Sequence, residues 1–136
     1  MKMSCRFAFL LGALALAAHS QPVRSESGAI GAAWAGDRAR LVFDERGGRL
    51  ELDCASGRIS SLGPLVDGSA FSATGTFERH AAGAQAAEAA TAARPAQYVG
   101  DVKGGALTLS IQVEGEARPQ VLHLRQGATV KLIRCL

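Results

Sequence analysis

The stretch Tyr98-Val99-Gly100-Asp101-Val102-Lys103-Gly104-Gly105-Ala106-Leu107-Thr108-Leu109-Ser110-Ile111-Gln112-Val113 decides the fold class. Before Lys103, Tyr98, Gly100 and Val102 alternate with Val99 and Asp101. After Gly105, Leu107, Leu109, Ile111 and Val113 alternate with polar residues. Side chains of a strand point to opposite faces in turn, so a period of two predicts strands with one buried face. Gly104-Gly105 between the two runs supplies the backbone freedom that a tight hairpin turn requires.

The same pattern extends upstream. Leu41 and Phe43 alternate with Val42 and Asp44, Gly47-Gly48 punctuates, and Leu50, Leu52 and Cys54 answer, which predicts a second hairpin with Cys54 on its apolar face. Gly57 is expected to turn the chain before Ile59. Gly63-Pro64 and Asp67-Gly68 then precede a run in which Phe71, Ala73, Gly75 and Phe77 share one face and Ser72, Thr74 and Thr76 the other. Downstream, Glu114 to Pro119 is a polar turn, Leu122 and Leu124 flank His123, and Gln126-Gly127 turns the chain into a last strand from Thr129 to Cys135. The adjacent Leu132 and Ile133 predict a bulge there, or a strand buried on both faces. Seven or eight short strands with no periodic helix predict an all-β fold. A small antiparallel up-and-down barrel is expected, with a β-sandwich as the alternative, because either arrangement removes exposed sheet edges.

The N-terminus reads differently. Lys2 and Arg6 precede an unbroken apolar stretch from Phe7 to Ala18, and no acidic residue occurs before Glu26. This is the charge layout of a secretory signal. The apolar core is about a dozen residues, against the roughly 20 that a membrane-spanning helix needs. Ala18 and Ser20 suit a signal peptidase, so residues 1–20 are expected to be removed and the product to start at Gln21. Cys5 precedes the apolar core, which argues against lipid attachment at a processed cysteine. The expectation is an exported protein, periplasmic or secreted, with a flexible lead-in over 21–33 and a single domain over 34–136. Within that domain, residues 81–96 are alanine-rich and are expected to form a mobile loop or a short surface helix.

Removal of the signal changes the charge argument. The chain carries 15 Lys and Arg against 12 Asp and Glu; without Lys2 and Arg6, 13 basic groups face 12 acidic ones. No clustered basic run remains of the kind that nucleic acid attracts, so no nucleic-acid partner and no membrane span are expected. Cys54 and Cys135 are left as an even pair in an oxidising compartment, and a disulfide between them is the favoured reading. It would close a loop of about 80 residues, worth roughly 4 kcal/mol on the chain-entropy account. A thiol nucleophile would need a base, and a zinc site three or four ligands, with only His80 and His123 left to help. No catalytic, cofactor-binding or metal-ligating residue is assigned. Glu51 and Asp53 are expected to lie on one outer strand face and to pair with Arg58 or Arg40.

Asp53-Cys54-Ala55-Ser56-Gly57-Arg58-Ile59, Trp34-Ala35-Gly36, Tyr98-Val99-Gly100-Asp101-Val102, Leu107-Thr108-Leu109 and Arg134-Cys135-Leu136 together resemble a family of small exported bacterial proteins of unassigned function. The resemblance covers nearly all of the chain after the signal and implies a shared fold and a shared disulfide. The alanine-rich insert from Ala81 to Ala93 departs from it. A more distant likeness, to lipocalin- and avidin-type barrels, implies a structural pair of Trp34 in the first strand and Arg134 in the last. That pattern wants Gly two residues before the Trp, and Ala32 stands there. The expectation for function is a non-catalytic binding module that meets another protein, an envelope or secreted one, through its loops. A carrier of a small apolar ligand inside the barrel is the alternative, and an enzyme is the least supported class.

Overall fold

The computed structural model describes residues 32–60, 62, 65–81, 92–133 and 135. The expected signal over 1–20, nearly all of the lead-in over 21–33, the greater part of the alanine-rich segment and Arg134 lie outside the described residues. The rest is all-β. Eight strands run in chain order: β1 (Ala33–Gly36), β2 (Ala39–Asp44), β3 (Gly47–Leu52), β4 (Ala55–Ile59), β5 (Ala70–Arg79), β6 (Arg94–Lys103), β7 (Ala106–Val113) and β8 (Gln120–Gln126). Each pairs antiparallel with the next, and β8 returns to β1, closing an up-and-down barrel. The sandwich alternative does not occur.

The β6–β7 hairpin forms as its alternation requires. Tyr98, Val102, Leu107, Leu109, Ile111 and Val113 are all buried, and the turn is Gly104-Gly105 with φ of 57° and 71°. Asp37 and Arg38, between β1 and β2, take the same left-handed conformation without being glycine, at φ of 46° and 57°. Asp37 offsets part of that cost through its side chain, whose Oδ2 accepts the His123 N–H at 2.6 Å.

The structure corrects several expectations. Gly47 and Gly48 do not turn the chain: the turn is Glu45-Arg46, and both glycines are paired in β3. Gly57 likewise lies within β4, and the β3–β4 turn is Asp53-Cys54, so Cys54 is exposed at a hairpin tip and does not share the apolar face of Leu50. Thr129 to Cys135 makes no ladder among the described residues. Ala128, Val130 and Leu132 are half-buried while Thr129, Lys131 and Ile133 are exposed, so the period of two survives in a strap without a neighbour strand. Strand β6 also starts at Arg94, which places Arg94, Pro95 and Ala96 of the alanine-rich segment in the sheet.

The misplaced glycines serve the core. A Cβ on Gly57 would collide with the Tyr98 hydroxyl, one on Gly75 with the Arg58 carbonyl, and one on Gly100 with the Phe71 ring. At Gly48 it would sit 2.8 Å from Phe43 Cε1. Aromatic rings thus occupy the space that four inward glycines leave empty. Phe43 and Phe71 meet edge to face at 6.3 Å, a favoured geometry for aromatic pairs. Leu41, Leu50, Tyr98 and Leu109 have 0% of their surface accessible. A lumen wide enough for water would leave area on such side chains, so the barrel interior is packed.

Candidate binding site at the disulfide end

Chain direction assigns the connections to two ends. The turns at Asp37-Arg38 and Asp53-Cys54, the end of β5 at Arg79 and the turn from Glu114 to Pro119 lie at one end; Glu45-Arg46, Ser60 and Ser69 beside β4 and β5, Gly104-Gly105 and Gly127 lie at the other. The strap leaves the second end at Gly127, whose N–H donates to the Ala33 carbonyl at 2.8 Å. It reaches the first at Cys135, which is disulfide-bonded to Cys54 with a Cα–Cα distance of 5.4 Å. The expected disulfide is therefore present, and its place in the fold is the anchor of this strap.

Under the strap, register aligns Ala35, Arg40, Glu51, Ser56 and Glu78 in one row across β1 to β5. The row faces outward, yet Ala35 is only 3% exposed, so that part of the wall is covered. Arg40, Glu51 and Ser56 form the floor of a cleft of about 650 Å³, with Val130 and Leu132 of the strap above and His80 at its mouth. That volume lies in the range of small-ligand sites.

Two charged clusters hold this end together. Asp53 pairs with Arg38, and its Oδ1 accepts the Ile133 N–H at 2.7 Å. The expected partners, Arg40 and Arg58, are not the ones it takes, because the Asp53-Cys54 turn carries the carboxylate off the strand face. The Arg38 hydrogen bond first, and the Ile133 amide second, hold the Asp53 carboxyl below its usual range, while Asp53 raises the Arg38 guanidinium. In the second cluster Glu116 accepts from Arg79 Nη2 at 3.1 Å and from Arg94 Nη2 at 2.6 Å, and Arg94 Nη1 also donates to the Glu114 carbonyl. Desolvation works to raise the Glu116 pKa, but the hydrogen bonds and charges of the two arginines together outweigh it and lower it.

Ser56 Oγ and His80 Nε2 lie 3.0 Å apart, and Glu78 Oε1 is 3.9 Å from His80 Nδ1. A nucleophilic serine needs its base oriented by a third group in hydrogen-bond contact. Here the carboxylate stands beyond that reach and the His80 side chain is 46% exposed. The arrangement is a hydrogen-bonded surface pair at the mouth of the cleft. Strand register, which brings Ser56 opposite Glu78, creates it; the alternation pattern alone could not reveal it.

Trp34 is buried at 3% exposure in the core cluster, and its indole Nε1 finds no acceptor among the described residues. Its expected companion Arg134 lies outside them. His123 points outward from β8. Among the described residues no group of three potential metal ligands occurs, and no helix is long and apolar enough to cross a membrane. No protein-family profile, curated protein or solved structure matches the chain.

Proposed function

We propose that the chain is an exported, non-catalytic binding module that holds another envelope or secreted protein through loops at the disulfide end of the barrel. The observation that carries the reading is the separation of core from surface. The interior is filled, so it offers no room for an apolar cargo among the described residues. The disulfide end, by contrast, gathers four connections and the cleft mouth. Loops held by a rigid scaffold are where binding residues concentrate. The alanine-rich segment enters this end between Arg79 and Arg94, both fixed on Glu116, so its base is secured whatever its own sequence. The resemblance to small exported bacterial proteins and the disulfide agree with an oxidising location.

Replacing residues 82–91 with a short turn tests the reading. The melting temperature should change by no more than about 1–2 °C, because closing a shorter loop alters the entropy little. Any partner that the parent protein retains from an envelope extract should be lost. Full retention by the shortened protein would defeat the proposal. A small molecule bound tightly to the purified protein in native mass spectrometry would put the carrier reading in its place.

A further inference from the structure

At the other end of the same wall, we propose a binding site for a phosphate-type dianion formed by Arg46, Arg49 and Arg58. Pairing of β3 with β4 sets Arg49 directly opposite Arg58, and both are exposed on the outer face. Like charges so placed repel and weaken a sheet. Their row offers no relief, since the flanking positions are Val42 on β2 and Thr76 on β5. Arg46, in the adjoining turn, lines the same hollow of about 260 Å³, together with Asp44, Gly47 and Gly48.

The one carboxylate present does not neutralise the group. Asp44 Oδ1 accepts the Arg46 backbone N–H at 2.8 Å, and no ion pair joins it to any of the three guanidiniums among the described residues. Three cations thus surround a small hollow with one acid turned towards the turn backbone. The planar fork of a guanidinium matches two oxygens of a tetrahedral oxyanion, and two opposed forks suit a doubly charged one. Gly47, which shares the outward parity of Arg49, adds no side chain to the hollow, and Ile59 completes its lining. The hollow suits a doubly charged phosphate group, which would reach it free in solution, as a soluble phosphomonoester or as the phosphomonoester headgroup of a lipid. It lies at the end away from the proposed loop contacts, so either proposal can fail alone.

The test titrates the full exported chain with inorganic phosphate at low ionic strength, with chloride as the matched control, following backbone amides by NMR. Glycerol phosphate and phosphatidic acid vesicles form parallel arms. Saturable binding is expected in at least one arm, with shifts at β3 and β4, and Arg49→Gln or Arg58→Gln should weaken it at least tenfold. Arg125→Gln, on β8, should leave it unchanged. Without the ligand, Arg49→Gln should raise the melting temperature by about 1–5 °C through relief of repulsion, and phosphate should shrink that gap. Responses that follow ionic strength without saturating in all three arms, or affinities indifferent to Arg49 and Arg58, would overturn the proposal.

Discussion

The two halves of the barrel are built on different terms. β1 to β4 are 4, 6, 6 and 5 residues long, whereas β5 to β8 are 10, 10, 8 and 7. The short half carries Arg40, Asp44, Arg49, Glu51 and Arg58 on its outer wall, and is fastened by the strap, the disulfide and the Arg38–Asp53 pair. The central outer rows of the long half are uncharged: Ser72, Val99, Ser110 and Val121 in one, Thr74, Gln97 and Gln112 in the next. Long ladders with a continuous apolar face need few fastenings. Short strands bury less per turn, and the chain supplies its covalent tie where the ladder is brief, while ionic ties occur in both halves: Arg38–Asp53 in the short one and Arg79 and Arg94 on Glu116 in the long one.

Tyr98 is, beside the Phe43–Phe71 contact, a side chain through which the long half engages the short one, and its loss should have the largest effect. Its ring lies over Gly57 of β4 and Gly75 of β5, and its hydroxyl donates to the Thr76 carbonyl at 2.7 Å. Burial also pushes the phenol pKa up, so it stays a neutral donor. Tyr98→Ala should cost about 3–5 kcal/mol in denaturant unfolding. Tyr98→Phe, which keeps the ring, should cost about 1 kcal/mol. Equal losses from both would mean that the ring does not bridge the halves.

Removing the disulfide should sharpen the contrast. Paired Cys54→Ser and Cys135→Ser substitutions should leave a folded barrel that is about 2–4 kcal/mol less stable. Hydrogen exchange should accelerate first in β1 to β4, with β6 and β7 amides still protected. Uniform loss of protection would show that the halves are one cooperative unit.

Acid should give the smallest effect, and it should touch both halves, at Asp53 in the short one and at Glu116 in the long one. Asp53 and Glu116 have folded pKa values below their unfolded ones, so their contribution to stability is complete above the unfolded carboxylate range and declines as pH falls through the folded values. Melting temperature should therefore begin to drop below about pH 4.5. Both groups are half-buried at the surface and still reached by solvent, so high salt should flatten the profile in part. A decline that is unchanged in the double variant Asp53→Asn, Glu116→Gln would place the acid-sensitive groups elsewhere.

Much of this was legible in the chain. Alternation alone located the buried faces of β5, β6 and β7 and the order of hairpins, because a strand buried on one side must write its parity into the residues. What failed had separate causes. Gly47-Gly48 and Gly57 suggest turns, since glycine most often marks a bend; Gly48 and Gly57 instead make room for rings from elsewhere in the barrel, and that need is visible only after closure. Cys54 continued the apolar parity of Leu50 and Leu52, but Asp53 beside it was the turn signal that prevailed. The strap kept strand periodicity because it lays one side on the wall, and sequence cannot distinguish that from pairing. The cleft and the opposed arginines depend on register between strands, which no single segment encodes.

The rings and the glycines beneath them carry a further consequence, for how such a chain can change over generations. Phe71 and Gly100, or Phe43 and Gly48, form one filled volume assembled from two distant codons. A methyl added at Gly100 alone meets a ring, and a ring lost at Phe71 alone leaves a void. Inheritance should therefore move these positions together, so that descendants with a larger residue at 100 carry a smaller one at 71, and the partners drift as linked letters while the charged wall beside them varies one residue at a time.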